Sequence, residues 1–217
     1  GRQGRVAHGL DLVRTQRLRE GATLSEVTAE LIGRRAIQIR ILPATDDRLR
    51  TLVETEAGTF PFQEWFVGRG HRDEVTGVSY EGAGEARAAP GVLAALEEAE
   101  AILLAPSNPY LSLGPILAVR GIRDALAARR VRCVAVSPLV GGRSVTGPLD
   151  RMLRRMAGGT TPDRVAQSLD GLIDALVIDE ADVPAKADVD LVVTQTLMRD
   201  HAAERQLAEV VLGVACE

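Results

Sequence analysis

The sequence has little of what marks the specialised protein classes. Cysteine occurs twice, Cys133 inside an apolar run and Cys216 one residue from the end. That is neither a disulfide framework nor metal-ligand spacing, and it points to a reducing cytoplasm. Basic excess is missing too: 26 Lys+Arg stand against 30 Asp+Glu, a net charge of −4, so the stripe needed to neutralise nucleic-acid phosphates is not expected. The longest apolar runs, such as 101–105 and 131–136, are strand length and far short of the roughly 20 residues that cross a bilayer. Residues 1–11 contain Arg2, Arg5 and His8 without the apolar run of a signal peptide. Aromatics make up only 3%, and four of them, Phe60, Phe62, Trp65 and Phe66, fall within seven positions, so the main core must be aliphatic.

Several chemical signatures are also absent. No Gly-x-x-x-x-Gly-Lys-Ser/Thr loop, no Gly-x-Gly-x-x-Gly fingerprint and no Gly-x-Ser-x-Gly elbow occurs, which removes support for P-loop ATPase chemistry, ordinary NAD binding and acyl-transfer hydrolysis. His8, His71 and His201 are scattered without ligand spacing and read as surface residues. No residue stands out as a catalytic acid or base.

What is present is an ordinary globular composition over 217 residues, 46% hydrophobic and 26% charged, suited to one domain or a domain with a small lobe. A helix through Leu12, Val13, Gln16 and Leu18 is expected to stop at Gly21, and Thr23-Leu24-Ser25-Glu26 matches the capping box that opens the next helix. Ile37, Ile39 and Ile41 alternate with polar residues and predict a strand over 37–42. Segments 49–54, 60–67 and 75–80 read as short strands of an antiparallel insert.

Beyond Pro90 the chain alternates strand, loop and helix. Strands are predicted at 101–105, 131–136, 175–179 and 191–194, and helices at 91–98, 116–130 (interrupted near Gly121), 149–157, 161–169 and 200–212. Strands apolar on both faces with helices between them predict an α/β fold: a Rossmann-like, mainly parallel sheet with helices on both faces and a small β-rich insert. Residues 1–100 form the helical lead-in and insert, a substrate lobe, and 101–217 the nucleotide-binding body.

In such a sheet ligands sit beyond the carboxyl ends of the strands, so the loops after 101–105 and 131–136 carry most weight. The first, Pro106-Ser107-Asn108-Pro109-Tyr110-Leu111-Ser112-Leu113-Gly114-Pro115, combines hydroxyls, an amide and stiffening prolines. A phosphate or nucleotide site and a simply capped turn both fit it. The second runs from Ser137 to Pro148 and contains Gly141, Gly142 and Arg143, two glycines that permit close backbone approach and a guanidinium suited to phosphate. Asp46-Asp47 fits either a magnesium ligand pair or an Asp-rich turn capping backbone amides. Read as a strand, the aromatic cluster puts Phe60, Phe62, Glu64 and Phe66 on one face and Gln63 and Trp65 on the other. It is either a satellite core or a stacking wall for a flat ligand.

Taken together, Leu18-Arg19-Glu20-Gly21-Ala22-Thr23-Leu24-Ser25-Glu26, Leu42-Pro43-Ala44-Thr45-Asp46-Asp47, Phe62-Gln63-Glu64-Trp65, Pro106-Ser107-Asn108-Pro109, Ser137-Pro138-Leu139-Val140-Gly141-Gly142-Arg143 and Thr196-Leu197-Met198 resemble the 2-phospho-L-lactate transferase family of coenzyme F-420 biosynthesis, in order and over nearly the whole chain. The resemblance implies transfer of a phospholactyl or phosphoenolpyruvyl group from a GDP-activated donor to the deazaflavin Fo, with release of GMP and a need for Mg²⁺. It places Ser107, Asn108, Ser112 and Gly114 at the nucleotide site, with Ser137, Gly141, Gly142 and Arg143 across from them. Phe62 and Trp65 become candidates for the deazaflavin wall and Asp46 and Asp47 for the metal. A homodimer is compatible with the family.

The family's Gly-Gly-x-Gly-Gly phosphate loop is not found in these 217 residues, which begin at Gly1, so a body lacking the first strand and loop is expected. The related gluconeogenesis-factor-like proteins provide the alternative, a non-catalytic nucleotide or nucleotide-sugar binding regulator.

Overall fold

The computed structural model describes residues 12–33 and 39–217. Helical backbone over 12–19 (α1) is followed by α2 (Leu24–Gly33). The expected capping box forms at the start of α2: the Thr23 amide donates to the Glu26 carboxylate at 2.7 Å and the Glu26 amide donates to the Thr23 hydroxyl at 3.2 Å. The strand expected over 37–42 is not found among its described residues. Residues 39–42 join no ladder, and Ile39 and Ile41 are 65% and 47% exposed. Alternation supplies an apolar face, but a strand also needs a neighbour for its amides and carbonyls.

Three antiparallel strands follow, β1 (Arg50–Thr55), β2 (Gly58–Pro61) and β3 (Val75–Glu81), in the order β2-β1-β3, with Val53 opposite Phe60 on one side and Val78 on the other. The strand expected over 60–67 ends at Pro61, which has no amide to donate, and the chain winds into a π-helical turn at Glu64–Gly68. Helical spacing brings Phe62 and Phe66 together, ring centroids 5.2 Å apart. Trp65 instead turns inward, fully buried in a cluster with Val53, Val75 and Met152, and its Nε1 donates to the Asp73 carbonyl at 3.3 Å.

The second half begins with α3 (Val92–Glu97) and β4 (Ile102–Leu104). A π-helical turn at Pro109–Leu113 then leads to α4 (Gly114–Leu117) and α5 (Ile122–Ala127). After β5 (Cys133–Val136) come a small hairpin, β6 (Leu139–Val140) with β7 (Arg143–Ser144), and the helices α6 (Leu149–Met156) and α7 (Pro162–Ser168). The chain finishes with β8 (Ala175–Asp179), β9 (Asp190–Thr194) and α8 (His201–Ala215).

Strands β4, β5, β8 and β9 form one parallel sheet in that order. Cys133, Ala135, Leu176 and Ile178 point to one face, against Leu126 of α5, Leu149 and Leu153 of α6 and Val165 of α7. Val134, Val136, Ala175 and Val177 point to the other, against Leu207, Val211 and Val214 of α8. Each of those α8 side chains contributes up to about 1.5–3 kcal/mol by leaving water, and Asp200 caps the helix by accepting from the Ala203 amide at 2.9 Å. Period two in the strands and i, i+4, i+7 in the helix thus produce the expected Rossmann-like α/β sheet, covered on both faces. Burial pushes the Cys133 thiol up to about 11, so it behaves as an apolar core group. Among the described residues no helix is long and apolar enough to cross a membrane.

Candidate active site

The carboxyl ends of the parallel strands open into a cavity of about 480 Å³, within the range of small-molecule sites. Three strand exits reach it: Ser107 and Asn108 after β4, Ser137 after β5, and Thr196 after β9. Ser112 borders it from the Pro109–Leu113 turn, and Gly147, Pro148 and Leu149 border it where α6 begins. The aromatic pair Phe62 and Phe66 and Leu111 also line it.

Asn108 shapes the first loop rather than presenting a free amide. Its Oδ1 accepts from the amides of Tyr110 at 2.9 Å and Leu111 at 3.1 Å, and its Nδ2 lies 3.6 Å from the Met152 sulfur. Ser107 and Ser112, on either side of this turn's cap, border the cavity. Gly114 lies beside the cavity, outside its lining: a Cβ there would overlap the Tyr80 hydroxyl, which donates to the Tyr110 carbonyl at 2.6 Å. Gly114 is therefore the gap through which β3 grips the loop. Burial raises the Tyr80 pKa, so this hydroxyl keeps its proton.

Ser137 is 2% exposed; its amide donates to the Val177 carbonyl at 2.8 Å and its Oγ accepts from the Leu139 amide at 3.2 Å, which leaves the hydroxyl proton for a ligand. The Gly-Gly pair acts differently from its sequence reading. Gly141 and Gly142, at φ +59° and +68°, form the two-residue turn of the β6–β7 hairpin. The Gly142 amide is occupied by Asp182 at 2.7 Å, and neither glycine nor the exposed Arg143 lines the cavity. The hairpin instead brings Val140 and Ser144 to it.

The aspartates of the 45–47 turn are likewise engaged elsewhere. Asp46 accepts from the Ser25 amide at 2.7 Å and hydroxyl at 2.9 Å at the start of α2, and Asp47 accepts from the Arg87 amide at 2.8 Å. This is the amide-capping alternative. Among the described residues no group of three His, Cys, Asp or Glu side chains could hold a metal, and none of those bordering the cavity is charged.

Two participants escaped sequence reasoning. Asp179, 7% exposed at the end of β8, accepts from the Thr196 amide at 2.9 Å, the Thr196 hydroxyl at 3.1 Å and the Ala181 amide at 3.0 Å. Burial raises its carboxyl, but these bonds and Arg199 outweigh burial and hold it below the ordinary value. Thr196 is thereby fixed at the cavity. Phe66 takes the wall position expected for Trp65 and is backed by His71, half-buried rather than a free surface residue, with ring centroids 4.8 Å apart at 19°. Strand and helical spacing both put Phe66 on the face of Phe62, so its position carried the signal; nothing local marks Asp179.

The family model described as "2-phospho-L-lactate transferase CofD" matches residues 4–211. The 2-phospho-L-lactate transferase of Methanococcoides burtonii is 34% identical over 97% of this chain and 69% of its own length, and that of Methanopyrus kandleri is 38% identical over 100% and 71%. The phosphoenolpyruvate transferase of Kitasatospora aureofaciens is 39% identical over 94% of this chain and 67% of its own length. Among solved structures, a protein of the UPF0052 family from Bacillus halodurans superposes with a TM-score of 0.67 over 93% of this chain and 70% of that one, at 16% identity, a likeness of fold.

Proposed function

The chain belongs to the 2-phospho-L-lactate transferase CofD family, and from that premise we propose that it moves a phospholactyl or phosphoenolpyruvyl group from a GDP-activated donor to the deazaflavin Fo in coenzyme F-420 biosynthesis. The observation that supports this reading best is the mixed lining of one cavity, in which Ser107, Ser112, Ser137 and Thr196 occur together with the Phe62–Phe66 pair. The Ser137 hydroxyl, whose oxygen accepts from the Leu139 amide, keeps its proton to donate to a diphosphate, and an aromatic pair suits a flat tricyclic ring.

In the proposed reaction the ribityl hydroxyl oxygen attacks the phosphorus that carries the acid. That P–O bond forms as the P–O bond to GMP breaks, GMP leaves, and the hydroxyl proton passes to solvent. No described side chain at the cavity is an acid or base near neutrality, so the protein's contribution is positioning and neutral hydrogen bonding to the phosphoryl oxygens. Mg²⁺ would enter with the donor's diphosphate and offset its charge. The described residues do not fit a resident magnesium site, since the carboxylates of Asp46, Asp47 and Asp179 are engaged by backbone amides and hydroxyls.

A thermal-shift series with GDP, a UDP-sugar and Fo tests this reading, because a ligand bound by the folded state alone raises Tm. Stabilisation by GDP and by Fo, not by the UDP-sugar, is expected. Stabilisation by the UDP-sugar alone would favour a nucleotide-sugar regulator.

A further inference from the structure

We propose that His71 is a positioning residue for the acceptor: its ring backs Phe66 and holds the aromatic wall at the angle that takes a flat ligand. The inference rests on the deazaflavin being the acceptor, as proposed above.

The backbone makes the case first. His71 has φ +44°, the one non-glycine residue at positive φ among those described, a conformation that is costly for a side chain with a Cβ and usually left to glycine. Its neighbour Gly70 already occupies that region without such a cost. The strained histidine is held from three directions. Its amide donates to the Trp65 carbonyl at 2.9 Å, its Nδ1 lies 3.4 Å from the Phe66 carbonyl, and its own carbonyl accepts from Arg151 of α6 at 2.6 Å. So held, the imidazole stacks on Phe66, and Phe66 in turn meets Phe62 at 5.2 Å and 30°. Phe62 and Phe66 border the cavity, whereas His71 does not. With one face covered by the imidazole, Phe66 presents the remainder of its ring to the ligand and cannot swing away.

The test compares the parent chain with His71→Asn and His71→Gly, both of which tolerate the left-handed backbone and lack the ring. Fo affinity is read by calorimetric titration, because the sole tryptophan, Trp65, is buried and lies 6.1 Å from the His71 ring, so its fluorescence would respond to the substitutions themselves. Both variants are expected to bind Fo about 2- to 10-fold more weakly, the range of one aromatic pair, with GDP affinity unchanged. Unchanged Fo affinity in both variants would overturn the proposal, and so would a parallel loss of GDP affinity, which would mean general loosening of the fold. A parent chain that binds Fo but yields no transfer product would remove the transferase reading and leave this inference standing; one that does not bind Fo would remove both.

Discussion

Replacing Gly114 by alanine should destabilise the protein, although glycine to alanine in a helix ordinarily helps. Gly114 has helical angles, φ −52° and ψ −49°, so on propensity alone the change would gain about 1 kcal/mol. The new Cβ, however, would overlap the Tyr80 hydroxyl, lie 2.7 Å from Tyr80 Cζ and stand 3.0 Å from the Pro109 carbonyl oxygen. Tyr80 must then move, which sacrifices its hydrogen bond to the Tyr110 carbonyl, about 1 kcal/mol, and adds an overpacking cost of about 1–3 kcal/mol. The net expectation is a loss of about 1–3 kcal/mol, measured by urea denaturation. Tyr80→Phe removes the hydroxyl and should cost about 1 kcal/mol by itself. Combined with Gly114→Ala, it should cost less than the two single changes together, because the overlap is partly relieved. A Gly114→Ala protein as stable as the parent would refute the close approach and the grip of β3 on the site loop.

Three further outcomes follow from the same geometry. Asp179→Asn removes a carboxylate that accepts three hydrogen bonds, and should cost about 1.5–3 kcal/mol at neutral pH. Its folded pKa is depressed, so this stability is present above the unfolded value of about 4 and is lost as pH falls through the folded one; Tm curves of parent and variant should converge once the pH has fallen below that folded value. Trp65→Ala should cost about 3–5 kcal/mol as a buried cavity, lowering Tm steeply rather than selectively weakening acceptor binding. Asp46→Ala should cost about 0.5–2 kcal/mol as a lost helix cap, and calorimetric titration should show Mg²⁺ affinity unchanged.

Where function depends on local pattern, the sequence was legible. The apolar run of β8 and the reciprocal hydrogen bonds of Thr23 and Glu26 need only neighbours in the chain, and both form as expected. Ser107, Asn108, Ser112 and Ser137 reach the cavity because loops at the carboxyl ends of parallel strands must converge there. Gly141 and Gly142 show the limit of residue type as a signal: two adjacent glycines serve a hairpin turn as readily as a phosphate, and here the Asp182 carboxylate, distant in sequence, occupies the amide. In Phe60 to Phe66 the element differs, since Pro61 ends the strand and a helical turn follows, yet both periods set Trp65 apart from Phe62 and Phe66; the larger ring goes to the core and Phe66, not Trp65, joins Phe62 at the cavity. Asp179 matters only because β9 delivers Thr196 to it from 17 positions away, a pairing created by the sheet order.

The central claim is tested most directly by incubating the chain with Fo, Mg²⁺ and a GDP-activated phospholactate or phosphoenolpyruvate, and following the products by mass spectrometry. Equal amounts of GMP and a phosphodiester joining the acid's phosphate to the ribityl hydroxyl are predicted, with Ser137→Ala reducing their rate. Absence of the phosphodiester with either donor, from a folded protein that binds both Fo and GDP, would contradict it.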